Sequence, residues 1–219
     1  DGYVTAAKVR DTFLRKEEKA KTLLQVFAQH NEQYALKVGK TATHRTYTRY
    51  ELTKNRLAEY IRTNYHVEDI SFREINVVFI EGFYLFIRDN YPCTHNTAMK
   101  FVQRFRTVVL FAHNLGLINF NPFGANKLKF EYVERGYLEQ DELDRIYQKT
   151  FASKRLEQVR DMFIFSCYTG LSYVDVCELR AENIKVSFAG HLWIIKERRK
   201  TNVTSNIRLL DTPKAILQK

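Results

Sequence analysis

Two short segments in the second half of the chain hold residue types that could act on a phosphate group. Ser172 follows the Thr-Gly-Leu of residues 169–171, and an acidic residue, Asp175, lies three residues further on. Residues 196–200 read Lys-Glu-Arg-Arg-Lys. A guanidinium binds phosphate through two hydrogen bonds and keeps its charge, and a lysine can protonate a leaving oxygen. The simpler alternatives are a helix C-cap at Thr-Gly-Leu, an N-cap at Ser172 and a solvated strand end.

A helix predicted at residues 95–115 has an apolar stripe on one face and polar residues at helical spacing on the other. The polar residues are Asn96, Lys100, Gln103, Arg104 and Thr107. Residues 93–130 contain no Asp or Glu, unlike a typical mixed surface, although a solvent-facing role is the simpler alternative. We expect Lys100, Arg104 and Arg106 to bind nucleic-acid phosphates. Asn96 and Gln103 could reach base edges in a major groove.

Further candidates for backbone contacts lie at the start of another predicted helix, residues 43–65. They are Arg45, Thr46, Tyr47 and Arg49. The free N–H groups of a helix N-terminus attract anions, and basic side chains beside them suit phosphate contacts. The many Phe and Tyr residues are expected in the core rather than in a base-stacking platform.

The elements that must position these residues are mostly helices. In the first half we expect four: from Thr5 towards residue 36, over residues 43–65, from Asn76 through residue 87, and over residues 95–115. Thr5, Asn76 and Thr94 are the expected N-caps.

After a polar stretch near residues 125–136, the sequence predicts strands as well as helices. We place a linker at residues 128–136, between a helical domain at 1–127 and a second domain at 137–219. The second domain should hold helices over about 137–146, 158–168 and 172–180, strands at 183–188, 191–198 and 206–210, and a helix from 211. The fold class is mainly α, a helical bundle followed by an α+β domain with a small antiparallel sheet.

Charge and cysteines narrow the class of protein. A net charge of +10 over 219 residues favours a polyanionic partner, with nucleic acid first. The three cysteines lack metal-ligand spacing, and we expect Cys167 and Cys177 in the core, in a reducing, cytoplasmic setting. No apolar run approaches the roughly 18 residues of a membrane helix, and no metal cluster or Gly-rich phosphate loop is visible. We therefore expect no membrane anchor, no metal and no cofactor.

The order and spacing of these pieces resemble the tyrosine recombinases, the lambda-type integrases. Residues 169–175 are similar to that family's first catalytic box, usually written T-G-L-R-x-x-E-L. Residues 43–47, 96–100 and 121–123 resemble patterns of the SAM-like core-binding domain of conjugative-transposon integrases, and the hairpin ending Arg199-Lys200-Thr201 resembles the catalytic domain. The resemblance implies site-specific recombination of a mobile element through a 3′-phosphotyrosyl intermediate. Its implied partners are duplex DNA and further copies of the chain, a tetramer in the active complex.

The resemblance also implies roles for single residues. Lys200 falls at the hairpin lysine that protonates the leaving 5′-oxygen, with Lys196, Arg198 and Arg199 as rivals. Asp175 falls at the acidic position that supports an active-site arginine. Ser172 falls at that arginine itself, and because a serine cannot neutralise a phosphate, another cation should substitute.

The family's later H-x-x-R has no counterpart among the six histidines, and no tyrosine follows such a motif. We therefore expect the chain to be truncated after the first half of the catalytic domain, and to bind duplex DNA without cleaving it alone. Two alternatives remain open. One is a non-catalytic DNA-binding regulator derived from a recombinase, which Ser172 favours, and the other is a helical interaction protein with incidental basic charge.

Overall fold

The computed structural model describes residues 21–124 and 129–219, and the chain divides into two compact units between Val133 and Glu134. This division falls within the stretch predicted as a linker, and residues 129–139 have no regular secondary structure. The predicted helix start at Thr5 and the first linker residue, Leu128, lie outside the described residues. Among the helices described, none combines the length and hydrophobicity that a membrane crossing requires.

Four helices build the first unit. They are α1 (Leu23–Ala35), α2 (His44–Tyr65), α3 (Val77–Asn90) and α4 (His95–Asn114), with a short 3-10 helix at Phe72–Glu74. The predicted cap at Asn76 is confirmed, because its side chain accepts a hydrogen bond from the Phe79 N–H at 3.0 Å. Thr43, near which the second helix was expected to begin, also caps its helix and accepts from the Thr46 N–H at 3.3 Å. Thr94 stands at the N-cap of α4, but its side chain makes no capping bond.

Aromatic rings organise the core of this unit. Phe105 of α4 is fully buried and makes edge-on contacts with Phe79 and Phe83 of α3, at ring distances of 6.0 and 5.9 Å. Phe123, beyond the end of α4, makes another edge-on contact with Phe105, at a ring distance of 5.3 Å. Because these contacts fix the rotation of α4 about its axis, the opposite face of the helix is turned to solvent.

The second unit combines helices with one small sheet. Its helices are α5 (Gln140–Gln148), α6 (Lys154–Thr169), α7 (Tyr173–Cys177) and α8 (Asp211–Leu217), with a 3-10 helix at Ala181–Asn183. Its strands are β1 (Ile184–Val186), β2 (Leu192–Glu197) and β3 (Thr204–Arg208), antiparallel in the order β1-β2-β3. Ile194 pairs with Ile184 and Ile207, and it is fully buried against Phe165 and Leu171. The predicted mixture of helices and a small antiparallel sheet is confirmed.

The expectation that Cys167 and Cys177 lie in the core is wrong, because both are exposed. Cys167 lies two residues after buried Phe165, which turns it to the opposite side of α6. An apolar run therefore marked the helix correctly but not its buried face.

Candidate functional site

The Thr-Gly-Leu-Ser box forms the sharp turn between α6 and α7. Gly170 ends α6 in the left-handed region at φ 64°, a conformation that glycine adopts without steric cost. Leu171 is buried in the core of the unit, and Ser172 is the N-cap of α7. The Ser172 hydroxyl donates to Asp175 Oδ2 at 2.6 Å and accepts from the Asp175 N–H at 3.4 Å. The N-cap role that the sequence offers for Ser172 is therefore what the structure contains, and the bond to the Asp175 carboxylate is an addition to it.

Asp175 joins this box to the hairpin between β2 and β3. Its side chain is only 3% exposed, and Oδ1 accepts the backbone N–H of Arg199 at 3.1 Å. The Ser172 hydroxyl and then the Arg199 N–H lower the pKa of the carboxyl group below its ordinary value, because both stabilise the ionised form. A buried, ionised carboxylate thus ties residues 172 and 199 together.

Arg198 brings a guanidinium group onto the box itself. Its Nη2 donates to the Gly170 carbonyl at 3.1 Å, and its Nε donates to the Ser205 hydroxyl of β3 at 3.0 Å. The sequence placed Arg198 only among the rivals of Lys200. Its contact with residue 170, 28 positions earlier, arises from the packing of the sheet, so no local pattern could have indicated it.

The other basic residues of the hairpin differ in whether their side chains form hydrogen bonds or ion pairs within the protein. Arg199 forms an ion pair with Glu178 at 2.6 Å, and Lys196 donates to the Glu178 backbone carbonyl at 3.4 Å. Lys200 is exposed in the turn between β2 and β3 and makes no side-chain hydrogen bond or ion pair within the described part of the chain. Of these three side chains, Lys200 is the one left available to a ligand.

In the first unit, α2 and α4 bring basic side chains together. Lys100 and Gln103 are exposed on α4, whereas Arg104 is half-buried and donates to the Lys100 carbonyl at 3.1 Å. Burial, and then the positive charge of Arg49 on α2, lower the pKa of Arg104. Positive charges from two different helices therefore act on one another in this part of the first unit.

The side chains at the start of α2 are less available for contacts with a ligand. Arg45 is exposed, but the Thr46 N–H and hydroxyl are both engaged with the capping Thr43. Tyr47 is half-buried beside the ring of His44, with centroids 6.0 Å apart.

Two predicted contact residues of α4, Arg106 and Asn96, are less available to a ligand than Lys100 and Gln103. The Nε of Arg106 is buried without a hydrogen-bond partner among the described residues. The carboxamide of Asn96 is paired with the backbone of Glu131 through two hydrogen bonds, so the predicted contact of Asn96 with base edges competes with this pairing.

Comparison with known proteins assigns this arrangement to a family. Residues 22–130, which include the basic faces of α2 and α4, match the model of the phage integrase SAM-like domain. The chain belongs to the tyrosine recombinases of the phage integrase type. No curated protein matches it significantly in sequence.

Solved integrase structures share its fold at low sequence identity. A lambda integrase tetramer bound to a Holliday junction gives a TM-score of 0.69 at 20% identity, covering 99% of this chain and 60% of that one. A lambda integrase dimer bound to a COC′ core site gives 0.64 at 20% identity over 90% of this chain and 68% of that one. The Tn1549 transposon integrase with a circular intermediate DNA gives 0.66 at 14% identity, covering 90% of this chain and 64% of that one. This integrase-like chain thus spans about 60% of the length of the lambda integrase in the first of these structures.

Proposed function

We propose that the protein acts in site-specific recombination, integrating a mobile element by DNA strand cleavage and rejoining through a 3′-phosphotyrosyl link. The observation that carries the proposal is the junction at Asp175, which joins the Thr-Gly-Leu-Ser box to a basic hairpin. In this proposal Lys200 protonates the leaving 5′-oxygen, and Asp175 holds the hairpin against the box. The H-x-x-R and the nucleophilic tyrosine come from residues outside this sequence, and no metal or cofactor takes part.

The arginine missing at position 172 is, in this proposal, replaced by Arg198. Its guanidinium donates to the carbonyl of Gly170, two residues from Ser172. One planar guanidinium there can still offer further N–H donors to a phosphate. Ser172 then serves the site indirectly, by stabilising the ionised form of Asp175.

Duplex DNA is the proposed partner of the first unit. Lys100, Arg104 and Arg49 bind phosphates, and the exposed Gln103 reaches a base edge. Their convergence from α2 and α4 supports this assignment, as does the absence of Asp and Glu in residues 93–130. Assembly into a tetramer on DNA and a cytoplasmic setting belong to the same proposal.

Duplex binding is tested with the double substitution Lys100→Ala/Arg104→Ala, measured as the dissociation constant against salt concentration. Each phosphate contact contributes about 0.9 to the slope of log K against log salt, so losing two should reduce the slope by about 1.8. The control is Lys54→Ala/Arg62→Ala, which removes the same charge from residues paired with Glu51 and Glu68. Equal slopes for the two variants would refute the assignment of this face.

Strand cleavage is tested by extending the reading frame past Lys219. An H-x-x-R followed by a tyrosine would allow a cleavage assay on the longer protein, in which Arg198→Ala should lower the rate by roughly 10²–10³ and leave DNA affinity intact. Arg180→Ala is the control, since Arg180 is exposed and lies outside the Asp175 junction. An Arg198→Ala protein with undiminished cleavage would exclude its proposed role.

A second candidate function is a non-catalytic DNA-binding regulator derived from a recombinase. The serine at position 172 favours it, because a regulator needs no cation there. A reading frame that lacks the H-x-x-R and the tyrosine would support this candidate and remove every catalytic role proposed above.

A further inference from the structure

A short backbone segment lies against the N-terminal turn of α4. The Asn96 Nδ2 donates to the Glu131 carbonyl at 2.8 Å, and the Glu131 N–H donates to Asn96 Oδ1 at 2.9 Å. Next to this pair, His95 Nε2 donates to the Lys129 carbonyl at 2.9 Å. The other ring nitrogen of His95 lies 2.8 Å from the Tyr84 hydroxyl and accepts its proton in the neutral ring. Three hydrogen bonds thus hold residues 129–131, which we name the clasp.

The clasp offers Asn96 the same hydrogen-bonding pattern as an adenine base. In a major groove, an Asn carboxamide donates to adenine N7 and accepts from adenine N6–H. The backbone of Glu131 supplies one acceptor and one donor to the same two atoms of Asn96. An Asn96 held by the clasp therefore cannot make this bidentate pairing with a base at the same time.

Asn96 also stands on the face of α4 that is proposed to meet DNA. Lys100 and Gln103 follow it at helical spacing, and both are exposed. The bonds to the clasp lie at the protein surface, where water can replace them at low cost. The contact is therefore easily opened, and what replaces it must present both a donor and an acceptor.

We propose that residues 129–131 form a releasable clasp that occupies Asn96 in the free protein and gives way to an adenine edge when duplex DNA binds. The proposal rests on the proposed DNA contact of α4 and adds a specific base to it. Opening the clasp lowers the apparent affinity for every duplex, and only a duplex with adenine at the right position restores both bonds. The clasp thereby lowers affinity for all duplexes alike, and discrimination between DNA sequences comes from the two bonds of Asn96 to adenine.

Base recognition is tested with a duplex selected by the protein from a randomised pool. Replacing its adenines one at a time by 7-deazaadenine removes the N7 acceptor, and at one position this should weaken binding about tenfold. Asn96→Ala should weaken binding to the original duplex and abolish the difference at that position. If no adenine position shows this loss of affinity, the base assignment is overturned. It is also overturned if the Asn96→Ala protein shows the same loss at that position.

Release is tested from the other side of the contact. Glu131→Pro removes the backbone N–H that donates to Asn96 Oδ1. The substitution should tighten binding to the selected duplex several-fold. In the Asn96→Ala background it should have no such effect. Val133→Pro is the control, because its backbone N–H makes no hydrogen bond within the described residues. Hydrogen exchange of the Glu131 amide in the wild-type chain gives an independent reading, with protection in the free protein and loss of protection on DNA.

The outcomes separate the two proposals. A chain without salt-dependent duplex binding fails the proposed function, and the clasp proposal falls with it. A chain that binds duplex while its Glu131 amide remains protected overturns the clasp alone, since Asn96 would then be a permanent anchor of the segment.

Discussion

At the scale of single residues, Asp175 is the point on which the second unit's candidate site depends. A carboxylate that is 3% exposed keeps its charge because a hydroxyl and a backbone N–H donate to it. The same two bonds fix the start of α7 and the end of β2, which hold Ser172 and Arg198 in place. Ser172 therefore has a structural role that needs no positive charge, because its hydroxyl donates a hydrogen bond to the Asp175 carboxylate.

Asp175→Asn should destabilise the second unit by about 1–2 kcal/mol at neutral pH, because hydrogen bonds to an ionised acceptor are roughly twice as strong as neutral ones. The pKa of Asp175 is lowered in the folded protein. Its contribution is therefore complete above the unfolded pKa of about 3.9 and is lost as the pH falls through the lower folded value. Urea unfolding at neutral and acidic pH measures this, and the gap between wild type and variant should shrink with acid. A gap that is constant with pH would contradict the ionised junction.

At the scale of elements, the pairing of α2 with α3 depends on a glycine inside a helix. A Cβ atom at Gly82 of α3 would overlap the Tyr60 hydroxyl of α2. That hydroxyl donates to the Phe79 carbonyl at 3.2 Å, and burial raises the pKa of Tyr60. The close approach of the two helices therefore requires position 82 to lack a side chain.

Gly82→Ala tests this contact against helix propensity. Alanine favours the helix by about 1 kcal/mol over glycine, but the overlap with Tyr60 should cost about 1–3 kcal/mol, so we expect a net loss of stability. Tyr60→Phe removes the overlapping oxygen, and in that background Gly82→Ala should be neutral or stabilising. Urea unfolding of the four proteins checks the prediction, and an equal effect of Gly82→Ala in both backgrounds would refute it.

The sequence predicted the helices well because their signals are local. Thr43 and Asn76 mark helix starts through their own hydrogen bonds, and periodicity gave the buried side of α4. The β3 strand begins at Thr204 rather than at the predicted residue 206, because its extent is set by pairing with β2 and not by its own composition.

The contacts that define the candidate sites were beyond sequence reasoning. The Arg198 contact with Gly170 and the Asn96 contact with Glu131 each join residues far apart in the chain. Such pairs depend on how elements pack, whereas spacing within one helix, as for Ser172 and Asp175, is visible in the sequence. The candidate residues were thus largely predictable, and their partners were not.

At the scale of the whole molecule, the two units have hydrophobic clusters of very different size. The first cluster is rich in buried aromatic and branched side chains from four helices. The second contains four buried residues, Phe165, Leu171, Ile194 and Leu209, with several partly buried neighbours. Because hydrophobic burial is the main source of stability, the second unit should be the weaker of the two.

Unfolding of the chain should therefore occur in two steps, with the second unit first. Trp193 of β2 is the single tryptophan, so its fluorescence reports on the second unit, while far-UV circular dichroism also follows the long helices of the first. In urea, the fluorescence transition should precede the main loss of helical signal. Asp175→Asn should move only the early step and Gly82→Ala only the late one, because the two positions lie in different clusters. A single transition seen by both probes, shifted by either substitution, would show instead that the units fold as one.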